Sequence, residues 1–168
     1  MKESNVIIGL TNPKSPSNVG SVMRAAGCFQ VNSVLYTGKR YSIAAKFNTD
    51  TNNVAQHIPL TGVDNFTDNL PEEVQIVCVE LVEGATPLPE FQHPENAIYI
   101  FGPEDGSINK QLISKAHEVV YIPTIGCMNL AATVNVVLYD RLSKLNSDIA
   151  SDELIRQSRD RNNKTKVV

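Results

Sequence analysis

Short, almost unbroken apolar runs separated by polar, helix-compatible segments constrain this chain most. They read NVIIGL at residues 5–10, SVLY at 33–36, VQIVCVEL at 74–81, AIYIF at 97–101 and VVYI at 119–122. Runs of this length, bounded by Gly, Pro and Asn, predict buried strands. A further short strand is expected near residues 57–60. Between the runs lie segments with helical character. Ser17 or Asn18 can cap a helix that ends near Gly27, and residues 109–117 and 128–145 have helical patterns, the last being the longest. Weaker patches fall at 44–47 and 64–70. Residues 11–16 and 83–94 are proline-bearing loops. Strands alternating with helices predict an α/β fold, with a mostly parallel sheet and helices on both faces. No repeat or linker divides the 168 residues, a length that suits one domain with its own core. We take residues 1–147 as that domain and 148–168 as a polar, basic C-terminal tail.

Charge is distributed unevenly. Net charge is only −3, yet between Glu3 and Asp50 there is no acid, while Lys14, Arg24, Lys39, Arg40 and Lys46 are basic. From Asp50 to Asp140 there are 13 acids and two bases, and from Arg141 onward seven bases and four acids. Two basic ends therefore flank an acidic middle. The pattern suits a polyanion-binding surface built from the first quarter and the tail, where Arg156, Arg159, Arg161, Lys164 and Lys166 lie. It is also what ordinary solvated faces produce. There is no apolar run long enough to span a membrane and no signal-peptide pattern. Three unpaired cysteines, Cys28, Cys78 and Cys127, suit a reducing, cytoplasmic setting. His57, His93 and His117 stand apart, so no metal site is expected. Dinucleotide, P-loop and nucleophile-elbow motifs are absent.

Ligands of open parallel sheets bind beyond the C-terminal ends of the strands, and three segments there are unusual. In the first, Gly20, Arg24 and Gly27 share one helix face (i, i+4, i+7), which clears space beside a guanidinium; a plain surface helix carries such an arginine too. The second is the glycine-rich turn Phe101-Gly102-Pro103-Glu104-Asp105-Gly106. The third runs from Ile122-Pro123 through Gly126-Cys127-Met128-Asn129 into the long helix, where Asn129 can also act as a cap.

Together and in this order, these segments resemble the motifs of the SpoU/TrmH-like branch of the SPOUT RNA methyltransferases. Asn18, Gly20 and Arg24 match N-x-G-x-x-x-R, and Gly102, Glu104 and Gly106 match the second motif. Ile122-Pro123 with Cys127-Met128-Asn129 match the third. The resemblance spans residues 5–145. It implies S-adenosylmethionine as methyl donor and methylation of a ribose 2′-hydroxyl in tRNA or rRNA. It further implies a C-terminal trefoil knot and a homodimer with sites near the subunit interface. At this length the chain corresponds to a minimal form of the branch, lacking a separate RNA-binding domain.

On this resemblance Arg24, Asn18, Glu104 and Asn129 are the catalytic candidates. Leu81, Gly102, Ile122, Cys127 and Met128 are expected around the cofactor adenosine. Lys14, Arg24, Lys39, Arg40 and Arg141 are expected to face RNA. The long helix, with Leu130, Val134, Val136, Val137 and Leu138 on more than one face, is expected to help form the dimer. Three departures stand out. Cys127 and Ala131 replace serines usual in the branch, and the glycine after Glu104 comes one position early. A base methyltransferase of the same superfamily and a non-catalytic SPOUT-fold RNA-binding protein therefore remain as alternatives.

Overall fold

The computed structural model describes residues 4–45 and 58–168. Among these residues the strands are β1 (Val6–Leu10), β2 (Ser33–Tyr36), β3 (Leu60–Gly62), β4 (Gln75–Val79), β5 (Thr86–Pro87), β6 (Ala97–Phe101) and β7 (Glu118–Tyr121). The helices are α1 (Pro16–Cys28), α2 (Arg40–Ala45), α3 (Lys110–Lys115), α4 (Leu130–Leu145) and α5 (Asp152–Ser158). The strands form one sheet in the order β3-β2-β1-β6-β4-β7-β5, and every pairing is parallel. Lys46, the helical patch continuing to residue 47 and the start of the strand expected at 57–60 lie outside the described residues.

Period-two alternation explains why the apolar runs are unbroken. Val6, Ile8 and Leu10 of β1, and Ala97, Tyr99 and Phe101 of β6, face a core shared with α1 and α4. Ile7, Ile98 and Ile100, between them, face a second core with Phe66 and Ile108, against which Leu112 and Ile113 of α3 pack. A strand covered on both faces needs apolar residues at every position. The sheet thus carries α1 and α4 on one face and the short α3 on the other, as the sequence pattern predicts.

Helix α1 begins earlier than expected. Ser15 is its cap, accepting from the Asn18 N–H, and Pro16 occupies the first turn, where its missing N–H and fixed φ cost nothing. Helix α4 starts at Leu130 rather than 128. Asn129 caps it by accepting from the N–H groups of Ala131 (2.9 Å) and Ala132 (3.3 Å). Residues 64–70 form turns rather than a helix, with Asn69 at φ 60°. Phe66 is the one side chain there buried in the core, and a single anchor is not the apolar stripe that a helix needs. The expected loop 83–94 contains the two-residue strand β5 and a short 3-10 helix at Leu88–Glu90. In the tail, Ser151 caps α5, whose residues are all exposed.

Candidate active site

The parallel sheet sends the ends of β1, β6, β4 and β7 to one edge, where the loops that follow them meet. A cleft opens between the ends of β4, β6 and β7. Leu81, Gly102, Ile122, Cys127 and Met128, the residues expected around an adenosine, all line it, and so does Glu104. Leu81, Ile122, Met128 and Leu130 give it apolar walls, while Glu80, Thr124 and Thr133 add polar groups. Gly126 takes a left-handed φ of 90°, which lets the loop turn back before Asn129. Glu80 was not foreseen, although its place at the end of β4 points to it. Its carboxylate accepts from the N–H groups of Leu81 (2.9 Å) and Ile108 (3.0 Å). A side chain at Gly102 would put its Cβ 3.1 Å from the Glu80 Oε2.

Beside the cleft, three of the four catalytic candidates form one hydrogen-bonded chain. Asn129 Nδ2 donates to Asn18 Oδ1 (3.2 Å), and Asn18 Nδ2 donates to Glu104 Oε1 (3.1 Å). Glu104 also accepts from the backbone N–H groups of Lys14 (2.9 Å) and Ser15 (3.1 Å). Burial pushes the Glu104 carboxyl up, but these donors outweigh it and hold the group below its ordinary value. Asn18 of the β1 loop is thus fixed to residues of the β6 and β7 loops that lie 86 and 111 positions away in sequence.

Arg24 stands apart from this chain of bonds. It is exposed on α1, and among the described residues no ion pair includes it. Six residues of helix separate it from Asn18, about 9 Å along the axis. Among the described residues a Cβ added at Gly20 or Gly27 would meet nothing within 4 Å, so they leave the face around Arg24 open.

The expected RNA-facing cations divide into two groups. Lys14 and Lys39 are exposed. Arg141 is not: it is 6% exposed and donates to the carbonyls of Pro94 and Glu95 and to the Tyr99 hydroxyl. This corrects its expected place on an RNA surface, because the side chain is almost wholly buried and spends three donors on groups of its own chain. Arg40 is also engaged within the chain, pairing with Asp105 at 2.8 Å. Among the described residues there is no cluster of metal-ligating side chains, and no helix is long and apolar enough to cross a membrane.

The architecture and the motif-bearing loops have counterparts. A family model, that of the SpoU rRNA methylases, matches residues 5–139.

The chain belongs to the SpoU rRNA methylase family.

The fold is that of solved SpoU proteins. The chain is similar to the A. aeolicus TrmH/SpoU tRNA modifying enzyme, with a TM-score of 0.70 and 17% identity, covering 92% of this chain and 85% of that one. It is similar to the SpoU methyltransferase AviRb from Streptomyces viridochromogenes, solved in complex with AdoMet, with a TM-score of 0.67 and 16% identity. That match covers 85% of this chain but 58% of AviRb, so this SpoU chain spans little more than half the length of that relative. A structure solved to explain the 2-OH methylation of C/U34 on tRNA matches with a TM-score of 0.70 and 21% identity, covering 86% of this chain and 93% of that one. Comparison with curated protein sequences finds no match.

Proposed function

We propose that this SpoU family protein transfers a methyl group from S-adenosylmethionine to a ribose 2′-hydroxyl of tRNA or rRNA. The observation that carries the reading is the hydrogen-bonded chain Asn129–Asn18–Glu104 beside the strand-end cleft. Support for the cofactor comes from the AdoMet complex of AviRb and from a cleft with apolar walls for an adenine and polar groups for a ribose. Support for the ribose target comes from the tRNA 2-OH methylation structure, whose length this chain nearly matches.

S-adenosylmethionine supplies an electrophilic methyl group on a sulfonium. The protein's task is to bring the hydroxyl oxygen in line with it. The donors already on Glu104 leave it a weak base, so it is a positioning residue that holds the 14–18 segment against the cleft. Arg24 is the residue proposed to touch the target ribose or its phosphate. Its guanidinium would stabilise the oxygen as its proton leaves to water or a phosphate. Lys14 and Lys39 are proposed to meet the RNA backbone.

The same reading takes residues 1–147 as the methyltransferase domain of a cytoplasmic homodimer, with a C-terminal knot. The knot reading is supported by β7, which lies between β4 and β5 although the chain joining those two strands precedes it. An experimental trace of residues 80–145 decides that point, and cell fractionation decides the location.

The test of function is nucleoside mass spectrometry of RNA incubated with the purified protein and S-adenosylmethionine. A 2′-O-methyl nucleoside is expected. A base-methylated nucleoside favours the superfamily's base enzymes, and RNA binding without methylation favours the non-catalytic alternative. Arg24→Ala should remain folded, still bind cofactor and lose roughly 10²–10³-fold in rate. Arg24→Lys should fail as well, because an ammonium lacks the forked donors. Methylation by Arg24→Ala within about threefold of the parent, far short of the loss such a group causes, would reduce the arginine to a surface residue.

A further inference from the structure

Arg40 counts toward the basic first quarter, yet both terminal nitrogens of its guanidinium are bonded within the chain. Nη1 donates to Asp105 Oδ2 (2.8 Å), and Nη2 donates to Asp105 Oδ1 (2.9 Å) and to the Asn12 carbonyl (2.7 Å). Among the described residues the Nε is enclosed without a partner. A side chain kept for phosphate would leave its fork free. This one is spent on a bidentate carboxylate and a carbonyl, the geometry in which arginine is strongest.

The three groups it joins come from three strand ends. Arg40 opens α2 just after β2, Asn12 follows β1, and Asp105 lies in the turn after β6. The first two loops are already interlocked. The Asn12 N–H donates to Thr37 Oγ1 (3.1 Å). Gly38 sits at φ 77°, and a Cβ on it would fall 2.1 Å from Asn12 Oδ1, so only glycine permits this contact. The third loop, residues 102–106, walls the cleft. Glu80 holds its far end through the Ile108 N–H, and Glu104 holds its middle against Lys14 and Ser15. Asp105 is its remaining anchor, one residue from Glu104 and immediately before the early glycine, Gly106.

We propose that Arg40 is a positioning residue for the cofactor turn rather than an RNA contact. By binding Asp105 and the Asn12 carbonyl together, it fixes residues 102–106 against the loop after β1, and so sets both the cleft wall and Glu104. An isolated surface ion pair contributes little to stability. This pair's effect is therefore expected in ligand affinity, where a loop must be held in one conformation before binding. The proposal rests on reading the cleft as the S-adenosylmethionine site.

The experiment is a double-mutant cycle on the full chain with Arg40→Gln, Asp105→Asn and both together. It is read by calorimetric titration with S-adenosylhomocysteine, by KM against kcat, and by thermal midpoint. Each single change should weaken binding and raise the KM for S-adenosylmethionine about fivefold or more, with the double variant no weaker than either single one. Thermal midpoints and kcat should change little. Undiminished affinity in Arg40→Gln, or losses in the single variants that simply add, overturns the clamp. So does a rise confined to the KM for RNA. A parent that binds no S-adenosylhomocysteine overturns the reading of the cleft, and the clamp with it. A midpoint that falls in step with affinity makes the pair a general stabiliser instead.

Discussion

Cys127 shows what a single side chain contributes to this site. It stands where the branch carries serine, it is exposed, and it lines the cleft. Cys78 is buried in the sheet, and burial pushes its thiol up to about 12, so it cannot react as a thiolate near neutral pH. Cys28 is exposed on α1, away from the cleft. A maleimide should therefore label Cys28 and Cys127 in the native protein and reach Cys78 only after unfolding. S-adenosylhomocysteine at about ten times its Kd should slow labelling of Cys127 about tenfold and leave Cys28 unaffected. Equal protection of both, or none, would remove Cys127 from the cofactor's surroundings. Cys127→Ser should bind the cofactor within a few-fold of the parent if the contacts there come from backbone groups.

Residue type was legible in the sequence at this scale, and residue company was not. Asn18, Glu104 and Asn129 were recognisable because motif order brings strand-end loops together. Arg40 and Arg141 were counted as surface cations because a charge pattern carries no information about partners. Asp105 is 65 positions from Arg40, and the Pro94 carbonyl is 47 from Arg141. Neither separation follows a helix or strand period. Glu80 was hidden near the end of a mostly apolar run, where its place at the strand end was the sign of it.

Between elements, α4 is fastened to β6 and to the loop before it by a buried polar cluster. His93 Nδ1 lies 2.7 Å from the Tyr99 hydroxyl, and its Nε2 lies 2.7 Å from Asp140 Oδ2. Arg141 donates to Tyr99, and Lys144 pairs with Asp140 at 2.8 Å while donating to the carbonyls of Leu88 and Phe91. A neutral imidazole satisfies this arrangement by donating from Nε2 and accepting the tyrosine proton at Nδ1. Burial holds His93 below its ordinary value, against the pull of Asp140 and with help from Arg141 and Lys144. A depressed folded value means that the unfolded chain binds the proton more readily. The contribution to stability is therefore fully present above the unfolded value, near 6.5, and is lost as pH falls through the folded one. The thermal midpoint should fall below about pH 6.5, more steeply in the parent than in His93→Gln. Equal slopes in the two proteins would show that His93 carries none of the dependence.

At the scale of the whole molecule, the reason for expecting a dimer has narrowed. Leu130, Val134, Val137 and Leu138 are consumed by the chain's own core. The large apolar side chains α4 still shows to solvent are Val136 (36% exposed), Tyr139 (64%) and Leu145 (44%), and the first two line a shallow apolar groove with Leu88, Pro89, Ile122 and Pro123. We expect this groove to meet a second copy. The parent should sediment as a dimer at micromolar concentration, Tyr139→Glu should shift it toward monomer, and deletion of residues 152–168 should change neither the dimer nor the thermal midpoint. A monomeric parent would refute the assembly. A midpoint lowered by the deletion would make α5 part of the domain.

The position of β7 also orders events in time. Among the described residues β5 touches no strand but β7, and β7 is the last strand. The two residues of β5 leave any assembly line well before their only partner exists. Helix α4, which covers one face of the core, emerges later still. A chain cut short before Glu118 therefore lacks two strands rather than one, and it exposes Val77 and Val79 of β4, which α4 and β7 would have sheltered. Growth from the N-terminus leaves this molecule open on its catalytic side until its final quarter arrives.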